Sequence, residues 1–155
     1  MSLLGLVDPP PAVPLLDRAG VEAARLVHNA RATLVATSRS VTYAMLAEAR
    51  GVTDASARQW VTRRRDLGTL IAVDHAGTVL IPSFQFDGDY EPIEQVGQVL
   101  RTLRAAGLSG WAIWRWFATE NPWIEQPPTA LIERADWQTL ARIARNLAEG
   151  GAAAG

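Results

Sequence analysis

Residues 50–65 of this 155-residue chain carry Arg50, Arg58, Arg63, Arg64 and Arg65 against one acid, Asp54, although the formal net charge of the whole chain is −1. A guanidinium can grip a phosphate or read the O6 and N7 acceptors of guanine in the major groove. A local excess of this kind therefore points to a nucleic-acid contact rather than to a polycation. A second concentration lies downstream, where "GWAIWRWFATENPW" holds Trp111, Trp114, Trp116 and Trp123, four of the six tryptophans. Rings at that density serve a core, an interface, or both. Bond-making chemistry is not indicated. His28 and His75 stand far apart without a carboxylate motif, "GLSG" lacks the context of a nucleophile elbow, and the glycines form no phosphate loop. With no cysteine, disulfides and thiolate metal sites are excluded. The expectation is a protein that is not an enzyme and takes no metal or cofactor.

A composition of 48% hydrophobic and 20% charged residues suits one sizeable core or two small ones. The expected fold class is mainly α. It comprises a winged helix-turn-helix-like N-terminal unit with a short β-hairpin, followed by a small helical C-terminal domain. Residues 1–16, interrupted by Pro9, Pro10, Pro11 and Pro14, read as a flexible proline-rich arm. They resemble neither a signal peptide nor a membrane span, so a cytoplasmic protein is expected. From Asp17, a possible cap, an alanine-rich helix is expected.

The segment "VTYAMLAEARGVTDASARQWVTRRR" has the spacing of a helix-turn-helix. Thr42 is placed to cap the first helix, Val41 and Leu46 to staple its entry, and Met45, Leu46 and Ala49 to form its apolar face. Gly51 falls where a left-handed residue ends a helix, and Thr53 caps a second helix running to about Arg65. The small Ala47 and Ala57 permit close approach, with Val52 and Trp60 filling the angle. On the second helix, Ser56, Arg58, Gln59 and Thr62 are candidates for base edges, and Arg63, Arg64 and Arg65 for phosphates. Residues 70–73 and 78–81 are β-prone runs joined by "DHAG", with Gly77 in the left-handed position and Phe84 and Phe86 covering the hairpin's base.

Helical periodicity resumes with Ile93, Val96, Leu100 and Leu103, closed by Gly107. Ser109 is placed to cap the tryptophan helix, which Asn121-Pro122 stops. Thr129 and Asp136 read as caps of a short helix and a closing one, with Trp137, Leu140, Ile143, Ala144 and Leu147 inward. Residues 17–87 and 88–149 thus form the two expected units, and 150–155 a disordered tail. Trp111, Trp114 and Phe117 share a line expected to face Leu140 and Ile143, which leaves Trp116, Trp123 and the C-terminal tail for a partner.

The stretch "GWAIWRWFATENPWIEQPPTALIERADWQTLARIARNLA" resembles the toxin-binding domain of the Xre/MbcA/ParS antitoxin family. The likeness rests on residues 111–117, on Asn121, Pro122 and Trp123, on Pro128, Leu131 and Ile132, and on the helix over 137–148. It departs from the family's pattern after the tryptophan, where "NPWIEQPP" lacks the usual glycine and basic residue. A hairpin after the recognition helix also differs from the all-helical unit of many antitoxins. The resemblance implies an antitoxin that neutralises a RES-type, NAD-targeting toxin, with Trp116, Asn121 and Trp123 as toxin-binding residues. It further implies repression of its own operon by binding double-stranded DNA as a homodimer. Two other readings compete with it: a stand-alone transcriptional regulator, and a regulator whose aromatic segment lines a small-molecule pocket.

Overall fold

The computed structural model describes residues 13–154, which are mainly helical with a small antiparallel sheet. The chain divides into two compact units between Ala36 and Thr37. The first holds α1 (Val13–Thr37) up to that division. Residues 1–12 of the expected arm lie outside the described residues, but residues 13–16, also expected in the arm, are already helical. Pro14 falls in the first turn, where an absent N–H breaks no intrahelical bond, so helix formation starts ahead of Asp17.

The second unit opens with β1 (Ser40–Val41), α2 (Tyr43–Arg50), α3 (Asp54–Asp66), β2 (Val73–His75) and β3 (Thr78–Pro82). The strand order is β1-β3-β2, with Val41 opposite Ile81 and His75 opposite Thr78. The strand at β1 is two residues long and has no alternation to reveal it. Ala76 and Gly77, at φ 52° and 82°, form the two-residue turn that a right-twisted hairpin favours.

The first hairpin strand begins at Val73, three residues later than its β-prone run. Leu70, Ile71 and Ala72 are buried, but a side chain takes the place of a ladder partner. Buried Gln85, in a 3-10 turn (Ser83–Gln85), accepts from the Ile71 N–H at 2.6 Å. Its Nε2 donates to the Ile71 and Pro82 carbonyls at 2.9 Å each. The core here gathers Val41, Leu46, Val61, Leu70, Ala72, Ile81 and Phe86, with Tyr43, Trp60, Val79 and Tyr90 half-buried around it. The expected staple of Val41 and Leu46 is therefore part of a larger cluster.

Four helices follow: α4 (Glu94–Ala105), α5 (Gly110–Ala118), α6 (Thr129–Glu133) and α7 (Trp137–Ala154). α4 packs along α7. Val96, Val99, Leu100 and Leu103 on α4, and Leu140, Ile143 and Ala144 on α7, are buried, whereas Trp137 is half-buried and Leu147 exposed. Asp136 caps α7, its Oδ1 accepting from the Thr139 N–H at 3.2 Å. Thr129 does not cap α6: it is the first helical residue, after Pro128, with no side-chain cap bond. α7 also continues through Ala154, where a disordered tail is expected. Extending an existing helix through alanines is far easier than nucleating one, which offsets the cost of Gly150 and Gly151. Gly155 lies outside the described residues.

The expected units 17–87 and 88–149 share side-chain contacts on both sides of their boundary, as the pairs Trp114–Ser38, Phe84–Phe117 and His75–Trp111 show. Among the described residues, no helix is long and apolar enough to cross a membrane.

Candidate nucleic-acid interface and aromatic groove

The α2–α3 corner is built by caps. Thr42 Oγ1 accepts from the Met45 N–H at 3.2 Å, and Thr53 Oγ1 from the Ser56 N–H at 3.1 Å. Between them Gly51 adopts φ 70°, which lets the Val52 N–H reach back to the Ala47 carbonyl at 3.0 Å. Ala47 and Ala57 are buried at the crossing, and Val61, four residues after Ala57 and not among the expected core residues, is fully buried beside them. The inward stripe of α2 is Tyr43, Leu46, Ala47 and Arg50. Met45 and Ala49 point outward instead, and Val52 is likewise exposed rather than filling the corner.

That packing turns one face of α3 to solvent. Ser56, Arg58, Gln59, Thr62, Arg63 and Arg65 are all exposed. Arg58, Gln59, Thr62 and Arg63 line a shallow depression of about 470 Å³ together with Ala55 and Asp66. Gln59 and Thr62 stand at its centre by helical spacing, Arg58 and Arg63 on opposite flanks. Asp66, just past the run of arginines, adds a negative charge to this face. Arg64 is placed differently from its neighbours. It is half-buried, with its guanidinium 4.9 Å from the centre of the Trp60 ring. Arg50 lies over the same ring at 4.2 Å, and Arg50 Nη1 donates to the Tyr90 carbonyl at 2.8 Å and to Glu91 Oε1 at 3.0 Å. These two arginines are thus committed inward. Arg58 lies over the Tyr43 ring at 5.3 Å.

The hairpin tip, residues 74–78, carries no lysine or arginine. His75 instead meets Trp111 edge to face at 5.9 Å. Trp111 belongs to α5, where Ser109 Oγ accepts from the Ala112 N–H at 3.2 Å as the expected cap. Ile113, Trp114 and Phe117 are fully buried. The line of Trp111, Trp114 and Phe117 meets the sheet side of the unit rather than facing the closing helix as expected. Trp114 Nε1 donates to Ser38 Oγ at 2.9 Å, Trp111 stacks on Trp114 at 5.6 Å, and Phe117 stacks on Phe84 at 4.2 Å. The closing helix is engaged by α4, and its Ile143 lines a groove on the other side of α5.

This groove, about 790 Å³, has walls from Leu108, Trp116, Trp123, Ile143 and Leu147, with Asn121 and Arg115 among its polar residues. It brings together Trp116, Asn121 and Trp123, the three residues that the family resemblance singles out. Trp116 is half-buried, packed edge to face on Phe117 at 4.9 Å, and Trp123 is 72% exposed. Asn121 is buried because it organises the turn that presents Trp123. Its Oδ1 accepts from the Trp123 N–H at 2.9 Å, and its carbonyl from the Glu125 N–H at 2.7 Å.

No protein-family model and no curated protein matches the chain. Among solved structures it is similar to the NMR structure of Rv2175c, at 22% identity and a TM-score of 0.61, covering 72% of this chain and 82% of that one. At that identity the likeness speaks for the fold alone: a mainly helical protein with a small antiparallel sheet.

Proposed function

We propose that the chain is a DNA-binding regulator of the winged helix-turn-helix type, with α3 as the helix that enters the major groove. The observation that carries this reading is the outward face of α3. Gln59 and Thr62, side chains able to bond base edges, are flanked by the exposed Arg58 and Arg63. Among the described residues neither arginine has an ion-pair partner. The element order α1-β1-α2-α3-β2-β3 and the sheet order β1-β3-β2 support the winged reading. Full-length protein incubated with a pool of random duplexes should enrich a common sequence. Simultaneous replacement of Arg58, Arg63 and Arg65 by alanine should abolish that enrichment. Recovery of unenriched DNA by the wild type would overturn the reading.

Within this function we read the chain as the antitoxin of a type II pair. The groove between α5 and α7 receives a RES-type toxin, and a homodimer represses its own operon in the cytoplasm. The exposed Trp123 beside Trp116 favours this over a stand-alone regulator, since large rings left uncovered at a concave site suit a protein partner. Co-expression with the product of a neighbouring reading frame, followed by size-exclusion chromatography, separates the two. A co-eluting complex that Trp123→Ala weakens supports the antitoxin, and separate elution supports the stand-alone regulator. No cofactor enters either reading.

A further inference from the structure

By helical spacing, Arg58 and Arg63 are the flanks of the α3 face, but the two are not equivalent. Arg58 is turned toward α2 and the hairpin, where its guanidinium lies over Tyr43 at 5.3 Å. The space around it is a cleft of about 450 Å³ between the first turn of α2 and the hairpin tip, lined by Thr42, Tyr43, Ala44, Arg58 and Thr78. Thr42 and Thr78 bring aliphatic hydroxyls, Arg58 supplies the charge, and no acidic side chain is among the lining residues. A cleft offering donors and one cation without an acid suits a phosphodiester, which presents only acceptors and a negative charge.

Resting on the DNA-binding reading above, we propose that Arg58 contacts the phosphate backbone where a strand passes through this cleft, and that Tyr43 is its positioning residue. This departs from the base-edge role that position in the helix alone assigns to Arg58. Base readout then falls to Gln59 and Thr62, at the centre of the face. A guanidinium held over a ring keeps its hydrogen-bond donors free at the edge of its plane, and being held already it gives up less rotamer freedom when it binds. An exposed cation–π contact of this kind corresponds to about a two- to fivefold effect on affinity.

The test uses the full chain and the best duplex from the random pool, with every single-base-pair variant of that duplex, titrated by fluorescence anisotropy at several salt concentrations. Arg58→Ala should weaken binding to all duplexes by one common factor and shrink the log–log salt slope by about 0.9, the signature of one phosphate no longer neutralised. Tyr43→Leu should weaken binding about two- to fivefold in the wild-type background and leave the Arg58→Ala background unchanged, while Tyr43→Phe retains wild-type affinity. Thermal melts of each variant, run alongside, show that folded protein is being compared. A weakening by Tyr43→Leu that is the same in both backgrounds, or none in either, overturns the positioning role. A change of preference at one base pair on Arg58→Ala overturns the phosphate assignment. Failure of the wild type to bind any duplex, even at low salt, removes the DNA-binding reading itself, a result distinct from both.

Discussion

Trp114 offers the sharpest test of how the aromatic helix is used. Its side chain is fully buried, stacks against Trp111, and donates its indole N–H to Ser38 Oγ at 2.9 Å. Trp114→Ala removes the ring and leaves a void that a close-packed core closes only in part, a destabilisation of about 3–5 kcal/mol. Ser38→Ala isolates the polar part. It leaves a buried N–H without its acceptor and should cost about 1–3 kcal/mol. Because Trp114→Ala already removes the donor of that bond, adding Ser38→Ala to it should cost less than Ser38→Ala alone. Trp123, 72% exposed, is the control: its alanine variant should lie within about 0.5 kcal/mol of wild type. Urea denaturation followed by circular dichroism measures the four variants against wild type without relying on tryptophan emission. A cost below about 1 kcal/mol for Trp114→Ala, or an equal cost for Trp123→Ala, would refute the division of these rings into core and surface.

Three further outcomes follow from the geometry. Arg63→Ala combined with Arg65→Ala should lower DNA affinity uniformly and reduce the salt slope by about 0.9 for each phosphate left unneutralised, whereas Gln59→Ala should relax preference at one base pair by about 1–3 kcal/mol in a binding titration. Gly51→Ala should destabilise the fold by about 1–2 kcal/mol through backbone strain at φ 70° alone, because a Cβ there meets nothing within 4 Å; a thermal melt reads it. Hydrogen bonds from Thr139, the hydroxyl contributing more than the backbone N–H, hold the Asp136 carboxyl below its ordinary pKa, with Arg134 and Arg142 adding to the effect. Folding therefore favours the charged form. The stabilisation is complete above the unfolded aspartate value of about 4 and disappears as pH falls through the lowered folded value. Asp136→Asn should remove that part of the acid dependence in melts across this range.

The corner between α2 and α3 was legible because its signals are local. A threonine caps each helix, a glycine sits at the turn, and alanines stand where helices cross, all within one short stretch of sequence. Outward and inward faces were harder to separate where several apolar residues crowd one turn. Met45 and Leu46 are adjacent, and only the partner surface decides which one is buried. Arg64 was indistinguishable from Arg63 and Arg65 as a letter, yet spacing alone places it three residues after buried Val61 and four after Trp60, on the inward side. The delayed start of β2 was not legible. Ile71 is as β-prone as its neighbours, and what removes it from the ladder is a glutamine fourteen residues away. The pairing of Tyr43 with Arg58 depends in the same way on the angle between two helices.

The tryptophan cluster shows the same limit from the other side. Periodicity separated Trp114 and Phe117 from Trp116, but it could not say what each face meets. The face expected to pack on the closing helix meets the sheet side instead, where Trp114 bonds Ser38 and Phe117 stacks on Phe84. The consequence is close contact between α5 and the hairpin. A Cβ on Gly110, the first residue of α5, would lie 3.3 Å from Val73 Cγ1 and 3.5 Å from the Ala72 carbonyl oxygen, so the Val73 side chain must give by a few tenths of an ångström to admit one. The helix that walls the aromatic groove and the hairpin that walls the Arg58 cleft therefore share one packed surface.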